Sequence, residues 1–406
     1  MISDFENILS DSSKGMKKSV IRELLKLTNK PDIISFAGGL PSPDSFPVDE
    51  LKEITQEVME KEWKKALQYG STEGDSLLKE QLIIRARNDG MDIDEKNITI
   101  TTASQQGLDL LSKIMVNRGD NVIVGLPSYV GGLGAFNAYG ANIIGIQLDE
   151  EGMSAEKLEN VLEDLKAKGK KPKFIYVVPD FQNPAGITMS VKRRKEIIAL
   201  AHKFDVMIIE DSPYRELRFE GEVQHTIYSL DNTGQVIVLG TFSKILAPGF
   251  RIGWIIADEK FIDKIVIAKQ SADLCTPPFT QRIVARYCEK GYLEKRIQKT
   301  SKMYREKKDL MIECFDKYMP NGVSWTNPEG GLFLLVTVPN YIDTDNLFDK
   351  ALEKKVAFVV GSAFHCDNSG HNTMRINFSY PSKEEIVQGV KRLAEAIKEY
   401  MAECKK

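Results

Sequence analysis

Six short β-branched runs recur through the middle of the chain: NITITT (97–102), DNVIVG (120–125), ANIIGIQL (141–148), KFIYVV (173–178), VMIIED (206–211) and QVIVLG (235–240). This recurrence constrains the fold more than any other feature. Between the runs lie segments of helical period such as SQQGLDLLSKIMVN and SVKRRKEIIALAHKF. Strands apolar on both faces have no solvated side, so they belong in a mostly parallel sheet covered by helices and joined by right-handed crossovers. A seventh apolar run, IGWIIA (252–257), follows a Pro-Gly turn. From about residue 292 the texture changes to a long charged helix, the short strands LFLLVTV, AFVV and MRINFS, and a closing helix from 382. The expectation is an α/β protein with a large domain over 48–291. A smaller α+β domain is expected from 292–406 together with residues 1–47, which pack back on it.

Bulk composition narrows the function classes. A net charge of −3 gives no reason to expect nucleic acid or an anionic membrane as partner. No run approaches a membrane span, and the N-terminus has acids where a signal peptide needs bases. The five cysteines are odd in number, scattered and without a CxxC pair, which argues against a disulfide framework or a structural zinc site. A reducing, cytoplasmic setting is expected.

In an open parallel sheet, ligands lie beyond the carboxyl ends of the strands. KFIYVVP delivers DFQNPAG, with Asn183 in a Pro-Gly turn; VMIIE delivers Asp211 and then Tyr214; VIVLG delivers TFSK, with Thr241, Ser243 and Lys244. NITITT leads to Ser104 and Gln105 at the start of a helix, whose free N–H groups form an anion seat. Arg251 opens the run after QVIVLG, so two cations are held close together at one rim, which is tolerable when something anionic belongs between them. Each group alone has an ordinary explanation as a cap, a turn residue or a structural ion pair. Together they match the needs of pyridoxal 5′-phosphate. Its aldehyde requires a desolvated lysine amine, the role open to Lys244. Its ring nitrogen stays protonated against a carboxylate, the role open to Asp211, at a gain of about 4 kcal/mol for roughly 4 Å and an effective dielectric near 20. Asn183 and Tyr214 can donate to its phenolic oxygen, while Arg251, Thr241, Ser243, Ser104 and Gln105 suit its phosphate. Tyr129, in GLPSYVGG, can stack on the ring.

EDSPYRE, QNPAG and TFSKILAPGFRIGW, in that order, resemble the motifs of the class I/II branch of PLP-dependent aminotransferases, and the likeness runs from ISFAGGLPSPDSFP (34–47) to MRINFS (374–379). The resemblance implies the PLP-dependent transferase fold type I, with a seven-stranded, mostly parallel sheet between helices. It implies that Lys244 binds the cofactor and moves protons, and that Asp211 meets the ring nitrogen. Tyr69, in QYG, would reach the phosphate of a neighbouring subunit's cofactor, which implies a homodimer with shared active sites. Arg375 would clamp the substrate α-carboxylate, and Gly39 of the AGGL segment would line the substrate site. Alternation supports Arg375: it shares a face of its strand with Asn377, opposite Met374, Ile376 and Phe378.

SVIRELLKL, ISFAGG and SQQGLDLL place the chain nearest to the 2-aminoadipate, kynurenine and aromatic amino-acid aminotransferases. That likeness implies transfer of an amino group from an L-amino acid to 2-oxoglutarate by a ping-pong route, with Arg22 meeting a distal carboxylate. Arg22 is equally explained as the solvated side of an amphipathic helix. Thr241 stands where many members carry serine and keeps the hydroxyl. The segment HCDNSGH (365–371) collects metal-capable side chains at a spacing that fits no tetrahedral motif, so no metal is expected. Two alternatives share the scaffold: a PLP-dependent lyase or decarboxylase, and a DNA-binding regulator built on an aminotransferase-like domain. The regulator needs about seventy additional residues of basic helix-turn-helix.

Overall fold

The computed structural model describes residues 5–14, 16 and 32–404. Strand β1 (Ile34–Ser35) precedes a central sheet of eight strands. These are β2 (Ile98–Thr101), β3 (Asn121–Leu126), β4 (Asn142–Asp149), β5 (Gly152–Met153), β6 (Phe174–Val177), β7 (Met207–Asp211), β8 (Val236–Thr241) and β9 (Gly253–Ile256). Their spatial order is β2-β9-β8-β7-β6-β3-β4-β5. Strands β4, β3, β6, β7 and β8 run parallel, and β2, β3, β6 and β8 are buried along their whole length. Seven strands coincide with the apolar runs. The eighth, β5, is a two-residue strand that folds back antiparallel on the edge of β4, with Asp149 Oδ1 accepting the Glu151 N–H inside the reversal. Its sequence, GM, carries no β-branched residue to announce it.

The reversed strand β9 sets up the site. It is antiparallel to both β8 and β2, pairing Gly253 with Thr241 on one side and Thr101 on the other. The residues entering β9 therefore reach the same rim as the residues leaving β2, β6, β7 and β8. That is why Arg251 precedes its strand while Lys244 follows one. The helix Ala103–Met115 begins at this rim, and its backbone is pressed so closely on β9 that a Cβ on Gly253 would lie 2.6 Å from Ala103 C and 2.7 Å from Ser104 N. Glycine is the residue that admits this approach.

The C-terminal part begins with the 27-residue helix Tyr292–Tyr318. An antiparallel sheet follows, formed by β10 (Ser324–Trp325), β11 (Phe333–Thr337), β13 (Val359–Val360) and β14 (Thr373–Asn377) in the order β10-β11-β14-β13. Strand β12 (Val356–Ala357) pairs in parallel with β1, so the N-terminal segment is tied to this part of the chain, and the Asn377 N–H also donates to Phe36 O at 2.9 Å. The helix Lys383–Cys404 closes the fold. Among the described residues no helix is long and apolar enough to cross a membrane.

One buried ion pair fixes the turn that follows β6. Arg194, fully buried on the helix Val191–Phe204, donates to Asp180 Oδ1 at 2.7 Å and to the carbonyls of Met189, His225 and Pro179. Asp180 opens the DFQNPAG turn. Replacing Arg194 by methionine keeps the packing volume but removes the short, hydrogen-bonded partner of the buried carboxylate, leaving only the longer contacts to Arg215 at 3.7 Å and Arg218 at 3.9 Å. Urea unfolding of Arg194→Met should show a loss of about 3–5 kcal/mol, and a loss below about 1 kcal/mol would mean the pair does not hold the turn.

Candidate active site

Three cations meet at the rim with no acid between them. Lys244 Nζ donates to Gly39 O at 2.8 Å, a carbonyl supplied by the N-terminal segment. Arg375, on β14 and buried, donates from Nη1 to Asn183 Oδ1 at 2.9 Å and from Nη2 to Ala37 O at 2.7 Å. Its guanidinium lies 4.2 Å from the ring centroid of Phe333 and 5.1 Å from that of Phe364. Its Nε has no acceptor. Arg251 reaches Ser243 Oγ at 3.5 Å and Pro248 O at 3.3 Å. Among the described residues none of these three forms an ion pair. Burial, with Arg375 and Arg251 nearby, pushes the Lys244 amine down to about 8, and burial pushes Arg375 down to about 10.

Opposite this cluster stand an acid and two phenols. Asp211, the last residue of β7, is buried and accepts the Tyr176 hydroxyl on Oδ2 at 2.7 Å, while Oδ1 has no partner. Burial raises Asp211 to about 7 against the pull of the Tyr176 hydrogen bond. Tyr214 is buried, accepts from Asn183 Nδ2 at 3.4 Å and packs edge-on against Phe333 at 5.8 Å. Burial, with the Tyr129 phenol beside it, holds its proton far above the usual phenol range. Asn183 therefore links Arg375 to Tyr214 through the two ends of one amide.

A polar seat lies at the start of the helix Ala103–Met115. Thr241 Oγ1 donates to Ser243 Oγ at 2.9 Å and accepts the Ser243 N–H at 3.1 Å. Ser104 and Gln105 occupy the first turn, where backbone N–H groups lack helical acceptors. The Gln105 side chain turns away to donate to Gly131 O at 2.9 Å and to accept the Tyr129 hydroxyl at 3.4 Å. What this segment offers an anion is its backbone.

Thus Lys244, Asp211, Asn183, Tyr214, Arg375, Gly39, Thr241, Ser243 and Arg251 converge, with Ser104, Gln105 and Tyr129 at the border. Tyr69 does not join them: it is 80% exposed on the surface. Arg22 lies outside the described residues. The side chains of HCDNSGH go to separate partners, His365 to Gly361 O and His371 to Asp345. Asp343, Asp345 and His371 form a small cluster, Asp343 partly buried and the other two exposed, explained by that ion pair.

The description of the aminotransferase class I and II family matches residues 31–393. The chain belongs to this family. It is 50% identical over 400 residues to aromatic-amino-acid aminotransferase 1 of Thermococcus litoralis, covering 98% of this chain and 96% of that protein. A Pyrococcus horikoshii kynurenine aminotransferase in complex with PMP has a TM-score of 0.95 at 48% identity, covering 99% of each chain. The α-aminoadipate aminotransferase LysN of Thermus thermophilus, complexed with N-(5′-phosphopyridoxyl)-L-leucine, has a TM-score of 0.90 at 35% identity, covering 98% of each. This aminotransferase therefore uses pyridoxal 5′-phosphate. The site fits that group on its own terms: a bare buried carboxylate oxygen suits a ring N–H, and an unpaired cation cluster suits a phosphate and a carboxylate.

Sequence reasoning passed over Tyr176, Phe333, Phe364 and the carbonyls of Ala37 and Gly39. Tyr176 left one signal, a lone phenol in an otherwise wholly apolar strand core. The depressed amine gives a direct test. Neutral amine reacts with acylating reagents, so labelling of Lys244 in the apoprotein should be half-maximal near pH 8, well below the ordinary lysine value of 10.5. Mass-spectrometric labelling across pH checks this, and a Lys244 profile centred near 10.5 would contradict it.

Proposed function

We propose that this aminotransferase moves the amino group of an aromatic, kynurenine-type or 2-aminoadipate-type L-amino acid to 2-oxoglutarate in two ping-pong half-reactions. The observation that carries the reading is the desolvated Lys244 amine beside Arg375 and Arg251 with no acid among them. Bound pyridoxal 5′-phosphate supplies an aldehyde that takes up the amino group and a protonated ring that draws electrons from the substrate Cα. Lys244 would be the covalent anchor, and its Nζ, once released, would take up and hand back the substrate Cα proton. Asp211 Oδ1 accepts the ring N–H. Asn183 and Tyr214 serve the phenolic oxygen, and Tyr129 covers the ring. Thr241, Ser243, Arg251 and the backbone N–H groups of Ser104 and Gln105 hold the phosphate. Arg375 takes the substrate α-carboxylate, beside Gly39, and Arg22 meets a distal carboxylate. The names of similar proteins support this donor range.

The cofactor-binding domain is taken as 48–291 and the closing domain as 1–47 with 292–406, a division supported by the β1–β12 pairing. The five free cysteines suit a cytoplasmic setting. A panel of amino donors against 2-oxoglutarate tests the reading. Glutamate should form in equal amount to the 2-oxo acid product, whereas a lyase or decarboxylase yields none. Lys244→Ala should abolish turnover and keep at most non-covalent cofactor. Arg22→Ala should weaken dicarboxylic donors while sparing aromatic ones, and equal effects on both would remove Arg22 from the site.

Tyr69, exposed on the surface, is proposed to complete the partner subunit's phosphate seat in a homodimer. Lys244→Ala and Tyr69→Ala chains, each impaired alone, should regain activity when unfolded and refolded together, because half of the dimers formed carry one intact site. Failure of the mixture to exceed the sum of its parts would rule out shared sites.

A further inference from the structure

Tyr176 sits in the middle of β6 with its ring buried and edge-on to Phe136, 5.3 Å between centroids at 74°. A phenol in a dry strand core needs an acceptor, and this one has Asp211 Oδ2 at 2.7 Å. No other donor among the described residues reaches the Asp211 carboxylate, whose Oδ1 is left bare. Room for the phenol comes from Gly132 on the neighbouring helix Val130–Ala138, where a Cβ would lie 3.2 Å from Cε1 and Cζ of Tyr176 and 3.4 Å from its hydroxyl.

A carboxylate swivels readily about its last torsion. One donor on one oxygen restrains its plane and leaves the other oxygen with no partner of its own. The same bond favours the ionised carboxylate and so opposes burial, which drives Asp211 the other way. Burial and the Asp211 charge together keep the Tyr176 proton in place, so the donor cannot turn into an acceptor. We propose that Tyr176 is a positioning residue for the cofactor ring: by holding Oδ2 it aims Oδ1 of an ionised Asp211 at the ring nitrogen. The inference rests on Asp211 being the partner of that nitrogen.

The test compares apoprotein affinity for pyridoxal 5′-phosphate with affinity for a carbocyclic analogue that carries C–H in place of the ring nitrogen. Both form the same bond to Lys244, and the phosphate is common to both. Tyr176→Phe should weaken pyridoxal 5′-phosphate about ten- to a hundredfold, the range for a hydrogen bond to a charged group, and leave the analogue essentially unaffected. Gly132→Ala, which favours its helix but crowds the phenol, should shift the preference in the same direction. Equal weakening of both ligands in Tyr176→Phe, or no weakening of either, overturns the proposal. Asp211→Asn separates the two levels. If it abolishes the preference for the nitrogen-containing ring while Tyr176→Phe does not, only the role of Tyr176 falls; if it keeps that preference, the reading of Asp211 falls with it.

Discussion

The site is organised around positive charge that the protein does not neutralise. Lys244, Arg375 and Arg251 are brought to one rim, and the acceptors they meet are carbonyls, an amide, a hydroxyl and aromatic faces. Removing cations from water is costly, and mutual repulsion adds to the cost. Burial lowers the proton affinity of both Lys244 and Arg375, and the charges of Arg375 and Arg251 lower that of Lys244 further. The acid at this rim, Asp211, is instead held by a phenol. Such a separation of signs is unfavourable in the empty protein and, on the proposed roles, would become favourable when a dianionic phosphate and a carboxylate complete the cluster and a protonated ring meets Asp211. Ligand binding thus returns stability that the fold gives up at this rim.

Backbone topology makes this separation possible. Had β9 run parallel to β8, Arg251 would enter at the opposite edge of the sheet, a strand length from Lys244. Because β9 is reversed, Thr241, Gly253 and Thr101 lie in register across three strands, and the helix start at Ala103–Ser104 is drawn against them. Asp211 leaves β7 on the neighbouring line, paired with Leu239 of β8. Each polar group is then anchored to a buried strand or its immediate continuation, which holds it more tightly than a long loop could.

Much of this was legible in the chain because both kinds of signal are local. Continuous β-branched apolar runs mark the strands, and the residues after each run mark the rim, so Asn183, Asp211, Tyr214 and Lys244 could be named before any fold was known. Arg375 was legible through alternation within MRINFS. The Tyr176–Asp211 bond spans 35 positions, and Lys244–Gly39 and Arg375–Ala37 span 205 and 338; partners at such distances leave no periodic trace. Backbone carbonyls leave none at all, since every residue has one. Strand β5 was hidden for a related reason: it pairs through backbone hydrogen bonds on a sheet edge, with a glycine and a methionine that give no strand signal.

The same contacts make the site a clasp between the two parts of the chain. Arg375 joins β14 to the Asn183 turn and to the N-terminal segment, and Lys244 joins the end of β8 to that segment through Gly39. These bonds go from cationic donors to neutral acceptors, and a carboxylate in their place adds the opposite charge and a bidentate geometry that matches the guanidinium fork. With Arg375 Nε already lacking an acceptor, a carboxylate arriving at this guanidinium finds one donor free and needs only the exchange of Ala37 O or Asn183 Oδ1 for a second. On the proposed role of Arg375, substrate would therefore trade a neutral clasp for a charged one across the same junction. Occupancy of the site and the relative placement of the N-terminal segment, the Asn183 turn and β14 would then be set by the same few hydrogen bonds.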